Sequence, residues 1–98
     1  MKQGTYKDVD GTHLQGEVIT TRLTLEKLFG EPTYTDNSGG EKVTTEWVLI
    51  LDSGKVATIY DWKRYEEGAP EMDETYKWHI GGLDYEVVED IAEMVLNI

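Results

Sequence analysis

The chain has 98 residues, 39% of them hydrophobic, with three Trp, six Tyr and one Phe. That is enough for one folded core and too many large apolar groups for a chain that stays disordered. The absence of cysteine excludes a disulfide framework, a thiolate metal site and a cysteine nucleophile, and a reducing cytoplasm fits it. Twenty Asp and Glu against nine Lys and Arg give a net charge of −11, which opposes direct contact with nucleic acid phosphates and anionic membranes.

Residues 1–11 are polar, carry Gly4 and Gly11 and show no periodicity, which predicts a mobile arm or a loose first strand ahead of a single domain over 12–98. They contain no apolar run of signal-peptide length, and no segment approaches the roughly 18 apolar residues of a membrane span. The expectation is a protein that is neither exported nor bound to a membrane. THLQGEVI at 12–19 alternates weakly, as a strand would. In TTRLTLEKLFGEP, Thr20 or Thr21 can cap a helix, Leu25, Leu28 and Phe29 share one of its faces, and Gly30 followed by Pro32 stops it. A short amphipathic helix over about 22–29 follows.

TDNSGGEK at 35–42 is a loop by composition. TTEWVLIL at 44–51 is rich in β-branched and aromatic residues, with Trp47, Leu49 and Leu51 on one face and Val48 and Ile50 on the other. Two apolar faces predict a central strand. Asp52, Ser53 and Gly54 make a short turn, and KVATIYDW at 55–62 returns as the second strand of a hairpin. TYKWHI at 75–80 reads as a further strand, ended by Gly81 and Gly82. Asp84 is a plausible cap for a helix over about 85–96, whose Val87, Val88, Ile91, Val95 and Ile98 fall at the spacing of a buried stripe. The order predicts an α+β fold: an antiparallel sheet of about four strands with two helices packed on one face.

Few residues suit catalysis. The sequence has no HExxH, GxSxG, GxGxxG or phosphate-loop pattern, and only two histidines, His13 and His79. His79 sits between Trp78 and Ile80 in a predicted strand, where a structural imidazole is the ordinary reading. DVDG at 8–11 and DNSGGE at 36–41 match fragments of calcium loops, but no flanking helices frame them, and no metal or cofactor is expected. Tyr60, Trp62, Tyr65, Tyr76 and Trp78 bracket an acidic insertion. As a ligand-stacking set, Tyr60, Trp62, Trp78 and His79 are the alternative site. The plainer role for such rings is sheet packing.

The acids are the stronger signal. Residues 1–65 have a charge balance of −2, whereas 66–98 have ten acids against Lys77 alone, a balance of −9. EEGAPEMDET at 66–75 contributes Glu66, Glu67, Glu71, Asp73 and Glu74. On the last helix Glu86, Glu89, Asp90 and Glu93 take the outward positions, and carboxylates three or four residues apart lie roughly 5–6 Å apart along the axis. That spacing is close to the phosphate repeat of a nucleic acid strand. A solvated helix face also places acids outward, but it usually intersperses lysines, and this one has none.

YDWK at 60–63 and WHIGG at 78–82, with LEKLFGEP at 25–32 and EWVLIL at 46–51, resemble a family of small accessory proteins encoded by tailed bacteriophages. The resemblance spans the chain from about residue 16 onward. It departs at Asp52-Ser53-Gly54, where the family has a tighter Asp-Gly turn. It implies a non-virion protein acting in the cytoplasm of an infected bacterium, where small acidic phage proteins block host enzymes or defence systems, CRISPR effectors among them, by occupying a basic nucleic acid groove. It carries over no catalytic residue. The expected function is thus a non-enzymatic inhibitor whose acids dock on a basic host protein; the alternative is a sponge for a nucleotide signal, using the aromatic residues.

Overall fold

A computed structural model describes residues 1–35, 43–62 and 68–98. Its centre is the expected hairpin. Strand β3, Glu46–Ile50, pairs antiparallel with strand β4, Val56–Tyr60, in the register Glu46↔Tyr60 to Ile50↔Val56. The connecting turn closes through Leu51 N–H to Lys55 O (2.9 Å) and Gly54 N–H to Leu51 O (2.8 Å). Gly54 takes φ +88°, a left-handed conformation that glycine adopts without steric cost, so the three-residue Asp-Ser-Gly turn is satisfied.

Strand β5, Thr75–Gly82, lies on the far side of β4, and strand β2, His13–Thr21, lies outside β5. On the opposite edge, strand β1, Lys2–Gln3, pairs with β3. The sheet therefore has five antiparallel strands in the order β1-β3-β4-β5-β2, one more than expected. Of the two expectations for residues 1–11, a strand is realised at Lys2–Gln3. The Gln3 side-chain amide donates to the Phe29 and Glu31 carbonyls, and Gly4 N–H donates to Val48 O.

Helix α1, Arg22–Phe29, follows β2 directly. Thr21 is its cap, accepting from Thr24 N–H at 3.2 Å, and Gly30 ends it at φ +82°. Helix α2, Glu86–Leu96, places Tyr85 at the cap position, while the Asp84 carboxylate accepts from the Glu86 N–H. Both helices cover one sheet face. Trp47, Leu49, Ala57, Ile59, Trp78 and Ile80 point from the strands to meet Leu25, Phe29, Val87, Val88 and Ile91. Each large side chain so buried contributes about 1.5–3 kcal/mol of transfer free energy, most of it offset by chain entropy. Trp47 also donates its indole N–H to Gly30 O (2.9 Å), which pins the end of α1 to β3. The other face carries a 3-10 turn, Tyr6–Val9, against β3 and β4, and Tyr6 stacks on Tyr34 at 4.0 Å.

Two local expectations are corrected. Gly81 and Gly82 do not end β5 but are its last two residues, because neighbours occupy the space their side chains would need. A methyl group on Gly82 would stand 2.6 Å from Val87 Cγ2, and one on Gly81 would stand 2.5 Å from Thr58 Oγ1. Ile98, expected in the buried stripe of α2, is 59% exposed because the helix stops at Leu96; Met94 packs against the core beside Val95 instead. Among the described residues, no helix is long and apolar enough to cross a membrane.

Candidate functional site

The register sets Glu46, Tyr60, His79 and Glu17 in a single transverse row across β3, β4, β5 and β2, on the face away from the helices. His79 Nε2 lies 3.6 Å from Glu17 Oε2. The Tyr60 ring meets the imidazole edge-on at 5.5 Å, and Trp62 stacks over it at 5.9 Å with an interplanar angle of 24°. Burial raises the Tyr60 phenol above its ordinary pKa, and the charge of Glu46 adds to the rise. Burial likewise raises the Glu46 carboxyl, and negative Asp61 adds to it.

Asp61 follows β4 and is wholly buried. Its Oδ1 accepts from Thr44 N–H (2.7 Å) and Thr45 N–H (3.0 Å), and its Oδ2 accepts from the Thr44 hydroxyl. These bonds tie the segment entering β3 to the segment leaving β4, which brings Glu46 beside Tyr60. The imidazole is thus flanked by Tyr60 and Glu17 within the row and covered by Trp62.

Trp78 does not join this set. It is 0% exposed on the helix side of the sheet, meets Trp47 edge-to-face at 5.4 Å and donates its indole N–H to Thr20 O. Since Tyr60 pairs with His79, alternation turns Trp78 into the core. Of the alternative ligand set, Tyr60, Trp62 and His79 are together, and Trp78 is behind the sheet. Trp62 is 37% exposed, and its backbone N–H donates to the Tyr76 hydroxyl.

The acidic residues fall into two groups. Glu66 and Glu67 lie outside the described residues. Glu71 and Asp73 are exposed in a turn that Glu74 closes, its N–H donating to Glu71 O (3.2 Å) and its Oε1 accepting from Glu71 N–H (3.2 Å). Met72 O accepts from Leu23 N–H, which fixes this turn at the start of α1. The turn precedes the first residue of β5, whereas α2 begins beyond the last. At roughly 3.3 Å per residue, β5 holds the turn and the start of α2 about 23 Å apart. β5 thus stands between the turn and the start of α2.

On α2, Glu86, Glu89 and Glu93 are exposed and Asp90 is half-buried. Glu86 is paired, contrary to the expectation of an unrelieved ridge. Lys55, from the β3–β4 turn, bridges Glu86 and Asp84, and these two bonds, that to Glu86 first, raise its ammonium above the ordinary lysine pKa. Glu86 and Glu89 also occupy the first turn, where the helix dipole favours negative charge. Asp90 and Glu93 have neither form of relief. Among the described residues no cation stands in salt-bridge reach of either, and Glu93 is near the helix end that disfavours an anion.

Beside them runs a groove of about 400 Å³. Leu51 and Met94 form its apolar part, and Asp52, Asp90, Glu93 and Asn97 its polar border. Asp52 is already paired with the Met1 ammonium, so the unpaired charge at the groove belongs to Asp90 and Glu93. Sequence reasoning picked out these two acids but not the groove, because residues 51–53 meet the last turns of α2 only in the folded chain.

Among the described residues no group of three or more His, Asp or Glu is placed to hold a metal ion. Asp8 of the DVDG fragment instead accepts from Thr5 N–H as a helix-capping residue, and residues 36–41 lie outside the described residues. The chain matches no protein-family model, no curated protein and no solved structure.

Proposed function

We propose that this protein is a non-enzymatic inhibitor that docks α2 on a basic surface of a host defence or nucleic-acid-processing protein, a surface that otherwise holds nucleic acid. The observation that carries this reading is the run Glu89, Asp90 and Glu93, exposed or half-exposed on one helix and without a cation in reach among the described residues. Carboxylates held together in this way repel one another, at a cost to stability that a positively charged partner reverses on binding. The resemblance to bacteriophage accessory proteins supplies the setting, the cytoplasm of an infected bacterium. The acidic turn at 71–74, at the opposite end of β5 from the start of α2, adds to the long-range field that steers encounter.

The test is affinity capture from bacterial lysate at low and at high salt, comparing the native chain with Glu89→Gln/Asp90→Asn/Glu93→Gln. The expected result is a nucleic-acid-binding protein retained by the native chain alone, released by salt, and displaced from its own DNA or RNA by the native chain. Screening shrinks from about 10 Å at 0.1 M salt to about 3 Å at 1 M, so charge-driven capture falls steeply over that range. Capture that is indifferent to both salt and the triple substitution rejects the proposal.

A further inference from the structure

Resting on that reading, we propose that the groove between residues 51–53 and the last turns of α2 receives one arginine side chain from a basic segment of the partner. Its guanidinium would sit between Asp90 and Glu93, and its aliphatic stem over Leu51 and Met94. The chain contains its own example of this chemistry at the start of the same helix. There Lys55 lies in a smaller recess with Val56, Leu83 and Val87, and its ammonium is held between Asp84 and Glu86. Further along α2 the groove repeats those parts, an apolar floor bordered by carboxylates, of which Asp52 holds the Met1 ammonium while Asp90 and Glu93 have no cation in salt-bridge reach among the described residues.

Arginine fits better than lysine for a geometric reason. Asp90 and Glu93 are three residues apart on a helix, so their Cβ atoms stand about 5–6 Å apart, a span over which a planar fork gives each carboxylate its own N–H donors, where an ammonium must share one nitrogen between them. The apolar floor matters as much as the acids. A long cationic side chain lays its methylene stem on apolar surface while its head stays near water, whereas a metal ion or a small amine gains nothing from Leu51 and Met94. The groove volume of about 400 Å³ exceeds one side chain, which leaves room for the segment that carries it.

The test uses three nonapeptides of identical length, built on arginine, lysine and citrulline, titrated into the full chain at low salt and followed by NMR. Two double variants remove the same charge: Asp90→Asn/Glu93→Gln at the groove and Glu71→Gln/Asp73→Asn at the far turn. Circular dichroism establishes that both fold. The expected result is that the arginine peptide binds at least about tenfold more weakly to the groove variant and within about threefold of native to the turn variant. The Leu51 and Met94 methyl signals shift on binding, and the lysine and citrulline peptides bind more weakly than the arginine peptide. Equal weakening by the two variants, with still methyl signals, overturns the groove and leaves the acidic docking surface in place as diffuse charge. Lysine binding as tightly as arginine overturns the choice of side chain. No binding of either cationic peptide at low salt sinks the groove and the docking surface together.

Discussion

Replacing Asp61 separates the geometry of its bonds from its charge. Asp61→Ala deletes the acceptor for two backbone N–H groups, those of Thr44 and Thr45, and for the Thr44 hydroxyl, all buried. At about 1–3 kcal/mol for each buried donor left unpaired, the two amides alone cost about 2–6 kcal/mol. A single domain has about 5–15 kcal/mol in total, so the variant should be close to unfolding. Asp61→Asn should behave quite differently. Both amides converge on Oδ1, which the asparagine carbonyl replaces, and the Thr44 hydroxyl can rotate to accept from the new amide group instead of donating. The expected loss is about 1 kcal/mol or less, lessened by removal of the negative charge that raises Glu46. Urea denaturation followed by the fluorescence of buried Trp47 and Trp78 measures both. An alanine variant within about 1 kcal/mol of native, or an asparagine variant as unstable as alanine, refutes this account of the Asp61 bonds.

Glu46→Gln should stabilise the protein at neutral pH. The folded state holds the Glu46 carboxyl above its reference value of 4.5, so the native chain loses stability as pH rises from there through the folded-state value, and a glutamine does not. Melting temperatures should therefore favour the variant near pH 7 and converge with native near pH 4; a constant gap would remove ionisation as the cause. Gly82→Ala should cost about 1–3 kcal/mol, because the new methyl meets Val87 and pushes α2 off the sheet. An unchanged melting temperature would show that α2 shifts freely. Thr21→Ala should cost about 1 kcal/mol through the lost cap of α1, seen in the same melts.

Much of the fold is legible where pattern is local. TTEWVLIL, the DSG turn and KVATIYDW specify β3, β4 and their register, and Thr21, Leu25, Phe29 and Gly30 mark α1 from cap to stop. What escapes depends on distant contacts. Lys2 and Gln3 have no apolar pattern; their strand is held by backbone pairing and by the bonds of the Gln3 amide. Gly81 and Gly82 look like a terminator, because glycine usually weakens strands, yet here their bareness admits Thr58 and Val87. The position of Trp78 depends on whether Tyr60 pairs with residue 78 or 79, and pairing with 79 is what turns Tyr76, Trp78 and Ile80 together toward the core. The acids of α2 are visible in sequence. That Lys55 reaches Glu86 while Asp90 and Glu93 go without is not, since it depends on which end of the helix the β3–β4 turn approaches with its lysine.

The strand order also governs how the chain can assemble. The first 21 residues supply both borders of the sheet: β1 must find β3, and β2 must find β5, so that Lys2 meets Ile50 and His13 meets Gly82. β1 has no partner until β3 has been made, and β2 cannot complete its ladder with β5 until residue 82 has been made. The strands synthesised before the rest of this sheet are thus among the last to find their place. Loop closure over such separations slows folding towards the millisecond-to-second range typical of sheets dominated by non-local pairing. During that interval a nine-residue strand waits with both its hydrogen-bonding edges unpaired, which makes the nascent chain more vulnerable to misassociation than the finished protein.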